Sequence, residues 1–110
     1  MRFIYLINKE DTEEYKIGVS VDPIKRLKTL QTGNSKKLFL INSFKSFFAT
    51  KIESFLRRKY WTTKQEGEWH LLKKENVESF LTDCEELEKT FIYLDKENIF
   101  FKKEVKNLKY

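Results

Sequence analysis

Two stretches of this chain carry side chains able to do chemistry. The first holds Lys25, Arg26 and Lys28, and the second holds Glu53 followed by Arg57 and Arg58. Gathered cations suit an anionic partner such as phosphate or nucleic acid, and arginine suits it best because its planar fork of donors meets two oxygens at once. Glu53 is informative for its isolation, being the only acidic residue between Asp22 and Glu66. Each feature also has a plainer reading. The three cations would keep a helix face solvated, and Glu53 would pair with Arg57 one helical turn on, worth about 0.2–0.5 kcal/mol.

The pattern around these groups predicts the elements that hold them. Residues 3–7 form an apolar, β-branched and aromatic run; a polar loop follows over 8–13 and a second β-prone run begins at Tyr15, which together read as a β-hairpin. Pairing across that loop would set Tyr5 opposite Lys16 or Ile17. Asp22 then caps a helix, Pro23 suits its first position, and Gly33 stops it, with Ile24, Leu27 and Leu30 as the inner stripe. Residues 37–44 supply a third strand. A second helix over 48–61 turns Phe48, Ile52, Phe55, Leu56 and Tyr60 inward and leaves Lys51, Arg57 and Arg58 outside. A polar loop over 62–66, a turn and short strand over 67–72, and a helix from Lys73 complete the chain.

These elements predict an α/β domain of the α+β kind, a small antiparallel sheet flanked by helices, over residues 1–72, with a C-terminal helical segment over 73–110. A chain of 110 residues with ten Phe can bury one modest core. Residues 1–72 hold 14 Lys or Arg against 8 Asp or Glu, whereas residues 73–110 hold 8 against 9, so the anion-facing surface is expected on the first part. Cys84 is the only cysteine, which excludes an internal disulfide and metal sites built from cysteine pairs. With no signal peptide or long apolar segment, the expectation is an intracellular protein free of the membrane, cytoplasmic or, if viral, in the host cytoplasm or nucleus. From Val77 through Phe80, Cys84, Leu87, Phe91, Leu94, Asn98, Phe101 and Val105 to Leu108, steps of three and four make a heptad seam over roughly four heptads, on the order of 45 Å. Either it forms a homodimer through residues 77–108, or the helix bends near Asn98 and returns to the domain.

Phe3-Ile4-Tyr5, Lys16-Ile17-Gly18, Arg26, Glu53 and Gly67-Glu68-Trp69, in that order, resemble the GIY-YIG nuclease superfamily, in particular its small phage and viral branch with a Lys-Ile-Gly second motif. The resemblance covers residues 2–72. It implies DNA cleavage by phosphodiester hydrolysis with one divalent metal, Mg²⁺ or Mn²⁺. Under it, Tyr5 takes a proton from the attacking water, Lys16 favours the phenolate of Tyr5, Arg26 holds the scissile phosphate, and Glu53 is the metal carboxylate. One carboxylate suffices because Mg²⁺ keeps several waters and takes phosphate oxygens. Lys25, Lys28, Arg57 and Arg58 would bind nucleic acid.

The chain departs from that pattern at several points. Phe3 stands in place of the first motif's glycine, Lys16 in place of a second tyrosine, and Arg57 where relatives often carry histidine; no asparagine lies between Glu53 and Asn76. Glu68, Trp69 and His70 could complete the site, although Trp69 suits the core and a lone histidine is more often structural. The alternatives to a nuclease are a nucleic-acid-binding module that keeps the fold without cleavage, and a protein-interaction module.

Overall fold

The apolar run near the N-terminus forms strand β1 (Arg2–Lys9), and its central position explains its composition. Ile4, Tyr5, Leu6 and Ile7 are all buried, as expected of a strand covered on both faces rather than one. The computed structural model describes residues 1–60 and 68–109, the side chains of 98–109 excepted. Within them, β2 (Glu14–Ser20), β3 (Leu38–Ser46) and β4 (His70–Leu71) join β1 in a four-stranded antiparallel sheet of order β3-β1-β2-β4. The loop over 62–66, Trp61 and Gly67 lie outside the described residues.

Successive side chains of a strand point to opposite faces, so β1 serves two cores. Ile4 and Leu6 join Ile52, Leu56, Tyr60, Leu72, Phe80 and Cys84 in the larger cluster; Tyr5 and Ile7 join Leu38, with Leu27, Leu30, Leu40 and Trp69 packed around them. Helix α1 (Pro23–Thr32) covers the smaller cluster. Its start follows from chemistry: the Asp22 carboxylate accepts the Lys25 N–H at 3.1 Å, and Pro23 occupies a position that needs no donor. Ile24, expected inside, is 62% exposed. The inner stripe instead runs Pro23, Leu27, Leu30 in steps of four and three, and Ile24 lies one residue out of phase with it.

Helix α2 (Ala49–Tyr60) shows the same correction. Ala49, Ile52, Leu56 and Tyr60 are buried, whereas Phe55, adjacent to Leu56, turns away and is 50% exposed. Helix α3 (Lys74–Lys109) contributes Phe80 and Cys84 to the larger cluster and packs Val77, Leu81, Leu87 and Phe91 against it. Phe91 meets Phe48 with ring centroids 5.8 Å apart. Burial, and then the neighbouring Asp83 carboxylate, pushes the Cys84 thiol up to about 12, so it is inert packing rather than a nucleophile.

The 36 residues of α3 span about 54 Å at the helical rise, matching the 55 Å long axis of the molecule. The helix continues through Asn98, so the expected return to the domain is not seen. Its seam over 77–91 is occupied by the domain's own core. Among the described residues no helix is long and apolar enough to cross a membrane.

A buried polar lock fastens α3 to α2. The Asp83 carboxylate accepts from the Tyr60 hydroxyl, from Ser79 Oγ at 3.0 Å, and from Lys59 Nζ at 3.3 Å. Burial alone would raise the Asp83 pKa, but these donors outweigh it and hold the carboxyl below its ordinary value. Removing the phenolic donor with Tyr60→Phe is expected to cost about 1.5–3 kcal/mol, because a hydrogen bond to a charged, buried acceptor is lost. Because the folded pKa of Asp83 is below the unfolded one, its contribution is complete above about pH 4 and is lost as pH falls through the folded value. Urea unfolding of both proteins at neutral and acid pH measures this, and equal stability of the two at neutral pH would refute the lock.

Candidate functional site

The site is assembled by the β1–β2 hairpin. Its loop is tightened by Asn8, whose Nδ2 donates to the Thr12 and Glu14 carbonyls at 3.0 and 3.1 Å, and by Asp11, which adopts a left-handed φ of 56°. The strands therefore close at Asn8 opposite Tyr15, which sets Ile7 opposite Lys16 and Tyr5 opposite Gly18. The expected pairing of Tyr5 with Lys16 or Ile17 is thus shifted by one to two residues. Tyr5 and Lys16 still share a face, because Lys16 and Gly18 are two residues apart on one strand. Tyr5 lies against Gly18, where a Cβ would collide with the phenol ring.

A cleft of about 250 Å³ opens beside this pair, lined by Tyr5, Lys16, Ile17, Gly18 and Val19 from the hairpin, Arg26 from α1, Glu53 and Arg57 from α2, and Glu68 just before β4. The four predicted catalytic residues are therefore neighbours around one hollow, although β1, β2, α1 and α2 each supply only one of them. Arg57, predicted as a nucleic-acid contact, lines the cleft and has its Nη1 3.5 Å from Glu53 Oε1. Lys25 and Lys28 are exposed on α1 outside the lining, and Arg58 borders a separate depression with Thr50, Lys51, Ser54 and Phe55. Of the three residues weighed near position 70, only Glu68 reaches the cleft. Trp69 packs on the smaller cluster, where Lys9 Nζ lies 4.6 Å from its ring centre, and His70 is buried in β4.

Electrostatics give the cleft its character. The Lys16 side chain is 6% exposed and pairs with the Glu68 carboxylate, which is 67% exposed. Burial lowers the Lys16 pKa, the nearby Arg26 and Arg57 guanidinium groups lower it further, and Glu53 opposes them. The solvated Glu68 does not reverse the sign, since water shares its charge. Three cations thus face two carboxylates. Among the described residues no group of three His, Cys, Asp or Glu side chains could hold a metal ion unaided. Glu53 and Glu68 could hold a hard divalent ion only with water and a phosphate oxygen completing its shell, a donor set that fits Mg²⁺ or Mn²⁺.

Gly18 is a test of this geometry. Gly18→Ala would force the buried Tyr5 ring away from the hairpin, with an expected loss of about 1–3 kcal/mol as overpacking. Gly33→Ala is the control, since a Cβ there meets only the Leu30 carbonyl oxygen at 3.9 Å. Denaturant unfolding that gave the two variants equal stability would disprove the close approach.

Residues 2–92 match the T5orf172 domain, a span that takes in the whole sheet, α1, α2, every residue of the cleft lining and the packed half of α3. No curated protein and no solved structure matches the chain. With most of its length matched, the chain belongs to the T5orf172 domain family, a phage-derived, nuclease-associated group.

Proposed function

We propose that this protein is a DNA endonuclease or nicking enzyme of the GIY-YIG type that hydrolyses phosphodiester bonds with Mg²⁺ or Mn²⁺. The observation that carries this reading is the convergence of Tyr5, Lys16, Arg26 and Glu53, from four elements, on one cleft. Membership of a nuclease-associated family supports it. Glu53, with Glu68 assisting, would hold the divalent ion, which when bound would supply charge neutralisation at the phosphoryl oxygens. Arg26, exposed on α1, offers its donors to the non-bridging oxygens, whose charge grows as the attacking oxygen adds. Tyr5 takes the proton from the attacking water while the P–O bond to the leaving strand breaks and the departing oxygen takes a proton from solvent. Lys16, buried beside Tyr5 in the same cleft, offers its ammonium to the entering phosphate. Lys25, Lys28 and Arg58 extend the cationic surface to flanking phosphates.

A binding module without cleavage is the rival, favoured by one observation: Arg57 is close enough to Glu53 to compete with a metal for its carboxylate. Incubating supercoiled plasmid with the protein and Mg²⁺, Mn²⁺ or chelator separates the two. Under the nuclease reading, Glu53→Gln abolishes nicking and retains the fold and most DNA affinity. A parent protein that cuts neither DNA nor RNA with either ion overturns the nuclease reading in favour of a non-cleaving module, and a Gln variant as fast as the parent removes Glu53 from the metal site.

Docking through the cationic surface has its own signature. DNA affinity should fall steeply between about 50 and 200 mM salt, because counterions are released on binding. Lys28→Ala should flatten the slope of log affinity against log salt by about one, uniformly across sequences. An affinity indifferent to salt would exclude these side chains as the docking face.

A further inference from the structure

We infer that residues 94–108 are the pairing surface of a parallel two-stranded coiled coil between two copies of this chain. The heptad seam of α3 changes employment part-way along. Phe80 and Cys84 are fully buried in the domain, and Val77, Leu87 and Phe91 pack against the same cluster. Immediately beyond, Ile92, Tyr93 and Leu94 are 41%, 61% and 45% exposed. The match to the T5orf172 domain ends at residue 92, the same place, so the helix outlasts the domain it covers.

The sequence beyond that point keeps the three-four spacing through Leu94, Asn98, Phe101, Val105 and Leu108. Flanking charges choose the occupant. Paired in parallel, the packed half would oppose Asp83 with Glu88, a repulsion, and Asp83 is already engaged by Tyr60, Ser79 and Lys59. The outer half would oppose Glu97 with Lys102 and Glu104 with Lys109, both attractive. Complementarity to a second copy therefore begins where the domain's own cover stops. An asparagine at a core position selects two strands in one register at some cost in stability, which argues against the larger bundle that Ile92, Tyr93, Ile99 and Phe100 would otherwise favour. The packed half of α3 has also met the cost of starting the helix, so pairing needs only to cover its continuation. Both domains then hang from the same end of one stalk.

Equilibrium sedimentation of the full chain tests this without reference to cleavage. The expected mass is that of a dimer, falling to a monomer in Leu94→Lys and unchanged in Lys96→Glu, which alters a residue off the seam. Urea unfolding of Leu94→Lys should keep the parent's domain transition. Orientation is tested by Leu94→Cys, whose thiols should cross-link two chains under mild oxidation because a parallel pair brings them together; buried Cys84 does not compete. A monomeric parent, a trimer or larger assembly, or a dimer that Leu94→Cys fails to link would each overturn the proposal.

Discussion

Everything around the cleft depends on how closely Tyr5 approaches Gly18. β1 is the central strand, and its alternate residues are committed to two separate cores, so it cannot slide by one position without turning Ile4 and Leu6 out of the larger cluster and Tyr5 and Ile7 out of the smaller. Within that fixed register, Tyr5 needs room on its face, and only a residue without a Cβ leaves it opposite. The ring then roofs the hairpin at the point where α1 and α2 bring Arg26 and Glu53. A glycine is thus the spacer that lets a bulky aromatic belong to a core and to a cleft at once.

Much of this could be read from the residues because the signals were local. Asp22 and Pro23 define the start of α1 through one hydrogen bond and one missing donor, and the apolar run of β1 needs nothing beyond burial. The misreadings share a cause. Ile24 and Phe55 each sit one position from the true inner stripe, a rotation of about 100° on a helix, and spacing alone accepts either phase when a neighbouring residue is also apolar. Pro23 and Ala49, small or conformationally special, hold the inner positions without looking like core residues. The same one-residue ambiguity separates Arg57, in the cleft, from Arg58, which is not. The register of the hairpin depends on Asn8 and Asp11, whose hydrogen bonds and left-handed backbone take up the loop. Glu68 was visible only as part of Gly67-Glu68-Trp69, since nothing in its spacing reveals that it reaches a lysine fifty-two positions earlier.

The charge arrangement of the cleft bears on how a phosphate and a metal ion would enter it. In the protein alone, each carboxylate is engaged by a cation, Glu68 by Lys16 and Glu53 by Arg57. Glu68 is mostly in water, so its own carboxylate is readily resolvated on release. Lys16 is different: its ammonium is buried beside two guanidinium groups, and it needs an anion close by to remain charged. A phosphate could take over Lys16 and Arg57 together, and in doing so would free Glu68 and Glu53 for a divalent ion. A metal ion arriving first would leave three cations facing one another with their carboxylates withdrawn, and a phosphate arriving alone would leave two carboxylates without counter-charge. In the proposed reading each ligand therefore prepares the site for the other, and by linkage the coupling is the same in either order of binding. The departure at Arg57, which at first weakens the nuclease reading, becomes under this arrangement a counter-charge that holds Glu53 until a phosphate relieves it.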